Sequence, residues 1–286
     1  MNFGYFFTFL GTNMIFKEIF LFFSYEFVRN AFFVGLLISL SFSFLSPFLV
    51  LKNCSLLGHS LSDVGLATFA LASLVNISPV FLSIPFMVLI SFLVFYFGNR
   101  NKSDGSSLLA IFSTAAVALG IVVTSFNKGF NSNFYSYIFG SVFSVQKRDL
   151  AWSLILTTFV VLSFFIFYNK FFLIMFDETF AKSRGFNVIF YKFFISVLIS
   201  ITAVLGIKMV GSLLISSFMI FPAIISKKVA RSFKQLLFYC AIFSIVSFIF
   251  GFFFSLIFNV PTGAGIVLIS VILLILSKLF ALKSSI

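Results

Sequence analysis

The sequence is poor in the residues that most soluble chemistry needs. Its 286 residues hold one histidine, two cysteines, one tryptophan and seven acidic side chains, and only 9% are charged. A lone histidine excludes the HExxH zinc motif, and neither GxSxG nor the phosphate-cradling GxxxxGK[ST] occurs. Nothing points to an enzyme, so any energy input must come from an ion gradient or another protein. The cysteines, Cys54 and Cys240, lie far apart, in or beside apolar segments, and no CxxC spacing exists. That argues against a disulfide framework or thiolate metal site and for two buried free thiols. No small-residue cleavage pattern follows the Phe-rich first 24 residues, so no signal peptide is assigned.

What is present is hydrophobicity. The chain is 61% hydrophobic, with a mean hydropathy of +1.21. Its apolar runs have the roughly 20-residue length that spans a bilayer. The expectation is an all-α fold: a polytopic transmembrane helical bundle of about eight to nine spans, some interrupted. The runs fall near 30–51, 55–75, 79–98, 107–126, 150–169, 191–207, 209–226, 236–258 and 264–282. Residues 1–286 read as one transmembrane helical domain, with 1–24 an interfacial segment or an extra, poorly formed span. The fifty phenylalanines read mostly as lipid-facing filler rather than as stacking surfaces.

The net charge of +12 has a membrane explanation. Thirteen of the 19 Lys and Arg residues lie in or beside the segments near 52, 100, 180, 230 and 280. Basic loops mark the cytoplasmic side. The basic surface therefore faces acidic lipid head groups, and nucleic acid is not expected as a partner.

Some spans contain helix breakers. "LGIKMVGSLL" (205–214) places Gly206, Lys208 and Gly211 between apolar runs, and "IFPAIIS" (220–226) contains Pro222. "NVPTGAG" (259–265) adds Pro261 and Gly263. Breaks inside a membrane are tolerated only where protein or water satisfies the freed backbone groups. They favour a transporter over a passive anchor.

The chemistry-bearing stretch is "LLGHSLSDVGLATFALASLV" (56–75), with the chain's one imidazole, His59, four residues before Asp63. On a helix these two share a face. An ionised Asp near the bilayer centre costs roughly 2.5–3.5 kcal/mol on insertion scales, so it usually faces a cavity, a bundle interior or a cation. Imidazole plus carboxylate is a ligand set for Zn²⁺, Mn²⁺ or Fe²⁺. A structural His–Asp hydrogen bond between helices is the alternative. Two ligands are not a full sphere, so the rest would come from other helices, a second subunit or water.

Four segments, in order, carry a resemblance. "LKNCSLLGHSLSDVGLATFALA" resembles the second-helix signature of the ABC-3 family through Lys52, Ser55, Leu57, Gly58, Leu61, Ser62 and Leu66. "MFDETFAKSRGFNV" (175–188) matches a second family segment through Phe176, Asp177, Ala181, Gly185 and Val188. "KMVGSLLISSFMIFPAIISKKVARS" matches through Lys208, Val210, Gly211, Leu213, Leu214, Pro222 and Ala223, and "NVPTGAGIVL" through Pro261, Thr262, Gly263 and Ala264. The chain departs from the family in three places. The family order is Asp then His, exchanged here at His59 and Asp63; Ala67 or Thr68 replaces a glycine; Asn259 stands where Asp is frequent.

The family comprises the membrane permeases of bacterial zinc, manganese and iron ABC importers. The resemblance implies a multi-pass homodimer in the bacterial inner (cytoplasmic) membrane, with the metal path at the subunit interface. Each copy would dock a cytoplasmic ABC ATPase, and an extracytoplasmic metal-binding receptor would deliver the metal. His59 and Asp63 would line the path. The loop with Asp177, Glu178, Phe180, Ala181 and Gly185 would couple to the ATPase. No cofactor would be bound permanently, the divalent metal being the transported substrate. Rival readings are an ABC permease for a metal chelate, a proton-coupled secondary transporter using Asp63, and a membrane structural protein.

Overall fold

An apolar run in a bilayer must satisfy its own backbone groups, and the α-helix does so within one segment. The computed structural model describes residues 24–97, 102–126, 145–258 and 260–283, and among them only helices occur. There are eleven: α1 (Glu26–Leu51), α2 (Leu57–Val75), α3 (Pro79–Phe97), α4 (Lys102–Phe126), α5 (Lys147–Ile166), α6 (Tyr168–Phe176), α7 (Glu178–Ser183), α8 (Val188–Val210), α9 (Ser212–Val229), α10 (Phe233–Phe258) and α11 (Thr262–Lys283). Seven of them are long and apolar enough to cross a membrane. α2 and α9 are of similar length and more polar. The polytopic bundle inferred from composition is the architecture found. The 1–24 expectation, Lys17, Arg100, Lys128 and Asn259 lie outside the described residues.

α1 and α8 are the inner helices, the most buried of the seven. α1 packs against α5, α8, α9 and α10, and serine supplies its polar contacts. Ser46 Oγ donates to the Met219 carbonyl at 2.8 Å, and Ser41 pairs with Thr157 at 2.9 Å. Ser244 Oγ donates to the Ser39 carbonyl at 2.7 Å. Small hydroxyl side chains let helices approach closely and find partners across the contact. Phenylalanine is not only lipid-facing filler. Phe42, Phe48, Phe164, Phe171, Phe248 and Phe252 are fully buried, while Phe33, Phe81, Phe165 and Phe250 lie exposed. A ring fills large gaps between helices as readily as it meets lipid.

The ion pairs sort the helix ends into two groups. Lys52, Glu178 and Lys192 meet at one end of the bundle. Lys147 meets Glu26, and Lys208 meets Asp149, at the other. The same grouping follows from the distribution of basic residues. Lys192, one of the basic residues near the 180 segment, is buried in the first turns of α8. Cys54 and Cys240 are buried free thiols, and burial pushes Cys54 up to about 11.

The chain between α8 and α9 breaks at Gly211, with φ 91° and ψ 163°. Gly206 does not interrupt α8; it packs within the helix beside Phe42 and Ile215. α9 runs on through Pro222, because one missing N–H leaves the flanking turns intact. Pro261 precedes α11, and Gly263 lies in its first turn.

Candidate functional site

α2 presents two packed faces. Gly58 and Ser62 meet α9: Ser62 Oγ donates to the Ser212 carbonyl at 3.1 Å. A Cβ on Gly58 would sit 2.8 Å from the Met219 sulfur and 3.2 Å from the Ser216 Cα, so glycine suits this close approach. Ser60 and Asp63 meet α4: Ser60 Oγ donates to the Leu109 carbonyl at 3.1 Å, and Ser113 Oγ donates to Asp63 Oδ2. At 100° per residue, His59 falls on the arc between these faces.

His59 is 65% exposed there, and Asp63 only 15%. His59 Nε2 lies 3.9 Å from Asp63 Oδ2. The imidazole and the carboxylate therefore share one face, as i and i+4 do. The pair is a near contact rather than a closed hydrogen bond. It is open outward, with Asp63 steadied from behind by Ser113. Among the described residues, no three His, Cys, Asp or Glu side chains come together. Ser113 was invisible as a partner in the sequence, since only helix packing brings α4 beside Asp63.

The second candidate segment is α7. Asp177 is its N-cap and accepts from the Phe180 amide at 3.0 Å. Gly185 follows the helix with φ 80°, the left-handed turn that suits glycine. Phe176 and Phe180 are exposed, and the Arg184 guanidinium lies over the Phe180 ring at 5.0 Å. Glu178 and Ala181 are buried instead. Lys52 Nζ lies 2.6 Å from Glu178 Oε1, and Lys192 Nζ lies 2.9 Å from Oε2. Burial would raise the Glu178 carboxyl, but the two ammonium groups outweigh it and hold it below the usual carboxylate range. By residue type alone the polar side chains of α7 are equivalent. The structure divides them into an outward set and an inward set.

The comparisons with known proteins agree on one family. The ABC 3 transport family matches residues 24–281. The chain is 26% identical to the manganese transport system membrane protein MntC of Listeria innocua, covering 91% of this chain and 92% of that one. It is 31% identical to a probable metal transport system membrane protein of Treponema pallidum, covering 88% and 94%. A solved structure of PsaBC from Streptococcus pneumoniae in complex with Fab aligns with a TM-score of 0.80 at 25% identity, covering 91% of this chain and 94% of that one.

Proposed function

The chain belongs to the ABC 3 transport family, and from that membership we propose that it is the permease subunit of an ATP-driven divalent metal importer in the bacterial inner membrane. Manganese is the first candidate among Mn²⁺, Zn²⁺ and Fe²⁺, because relatives are named as manganese transport proteins. The observation that carries the reading is the outward-facing pair on α2. A lone histidine is spent on an exposed helix arc, one turn from a carboxylate fixed by Ser113.

Two ligands fall short of the roughly four to six that a divalent cation takes. A second copy meeting the first across this face would supply the same pair again. That arithmetic supports a homodimer with the metal path between subunits. α7 is the ATPase dock: its exposed Phe176, Phe180 and Arg184 suit a groove on a soluble partner. A metal-binding receptor delivers the cation on the opposite side.

The test is ⁵⁴Mn uptake in cells lacking the native permease, with the ATPase co-expressed. Wild type is expected to accumulate metal only when the ATPase is active. His59→Ala and Asp63→Ala, at matched membrane levels, are expected to accumulate none. Full uptake by both variants would remove the α2 pair from the path.

A further inference from the structure

Asp177 faces solvent, and the next residue points the other way. Glu178 is 8% exposed and bridges two ammonium groups. Lys52 caps the C-terminus of α1, seven positions before His59. Lys192 lies at the start of α8, and its Nζ also donates to the Phe95 carbonyl near the end of α3, at 2.8 Å. One buried carboxylate therefore gathers α7, the α1–α2 corner, α8 and, through Lys192, α3. α7 otherwise packs mainly against α6 and α8, its neighbours in sequence. A small cavity of about one water's size lies beside the triad, lined also by Phe48, Cys54 and Val94.

A buried ion pair is weak as a source of net stability, since desolvation offsets most of its attraction. What it does well is fix the register of the elements it joins. Lys52 sits at the corner from which α2 departs, and Asn53 turns the chain there with φ 56°. A displacement of α7 that carries Glu178 along pulls directly on that corner.

We propose that Glu178 is a positioning residue that transmits movement of α7 to Lys52, and through the corner to the helix bearing His59 and Asp63. The proposal rests on the reading of α7 as the ATPase dock. It deepens that reading by assigning the inward face of α7 a role distinct from its outward face.

The charges allow a test that keeps the fold. The triad holds one carboxylate and two ammonium groups. Lys52→Met leaves a balanced Glu178–Lys192 pair, whereas Glu178→Gln strands two buried cations and tests the same link more harshly. Lys52→Arg keeps the charge. Each variant is purified as the full permease–ATPase complex and placed in liposomes. Manganese uptake and ATP hydrolysis are then measured on the same sample. Lys52→Met is expected to retain the ATPase and hydrolyse ATP, while manganese moved per ATP falls about tenfold, the size of a typical coupling between sites. Lys52→Arg is expected to stay near wild type. A Lys52→Met complex with the wild-type ratio would overturn the proposal alone. So would loss of the ATPase from that variant, which would make the triad a part of docking. An Arg variant as impaired as Met would replace the charge link with simple packing. Failure of wild type itself to retain an ATPase would overturn the docking reading, and the proposal with it.

Discussion

Ser62 Oγ donates a 3.1 Å hydrogen bond to the carbonyl of Ser212, the first residue after the break at Gly211. The helix carrying the metal-ligand candidates is thereby fastened to the point where α8 gives way to α9. Gly211 adopts φ 91° and ψ 163°, a region essentially reserved for glycine. Gly211→Ala is expected to lower stability by about 1–3 kcal/mol through strain of this kind. Thermal unfolding in detergent micelles reads the effect. An unchanged midpoint would mean that the break tolerates an ordinary residue.

The α2 ligand candidates stand in the reverse of the order that the family resemblance implies, and exchange is the sharpest probe of that difference. His59→Asp combined with Asp63→His keeps both ligand types on one face. The double variant is expected to retain more manganese uptake than either single alanine. Uptake as low as in the alanines would show that the exposed position needs imidazole specifically.

Ser113 holds Asp63 from α4, so it would orient a candidate ligand without being one. Partners of this kind typically change metal affinity by about 10–100-fold when removed. Ser113→Ala is expected to raise the manganese concentration for half-maximal uptake by about tenfold while leaving the maximal rate near wild type. Uptake curves at graded manganese check it. An unshifted half-maximal concentration would leave Ser113 as simple packing.

The outward face of α7 carries the docking prediction. The open space around Gly185 would admit a side chain, so its φ of 80° is the main obstacle to one. Gly185→Val distorts the cap at a cost of about 1 kcal/mol or more. Phe180→Asp removes an exposed ring. Both variants are expected to reach the membrane and to lose metal-stimulated ATP hydrolysis in liposomes. If both copurify with the ATPase and hydrolyse ATP like wild type, the loop is a charged linker.

Glu178 also makes a pH prediction. Its folded-state pKa is depressed below the ordinary 4.5, so its contribution to stability is present above that value. It is lost as pH falls through the depressed folded value. The unfolding midpoints of wild type and Glu178→Gln are therefore expected to differ by a constant amount from neutral pH down to about 4.5, and to converge below it. A constant difference throughout the acid range would mean that the carboxylate is not held ionised by Lys52 and Lys192.

Much of this protein was legible without coordinates, because its bilayer solvent imposes a simple rule. A run of about 20 apolar residues has to be a helix, and basic residues mark one side. The i to i+4 spacing alone put His59 and Asp63 on one face. Other properties depend on which helix lies beside which, and periodicity carries no information on that. Only packing brings Ser113 to Asp63 and Lys52 to Glu178, across 50 and 126 positions of sequence. Only packing decides that Gly211 breaks the chain while Gly206 and Pro222 lie inside helices. Residue type assigned Glu178 to the same surface as Asp177. Its burial between two lysines was decided by the tertiary structure, because an ionised carboxylate is costly to bury unless it is paired, and only packing brings Lys52 and Lys192 to it.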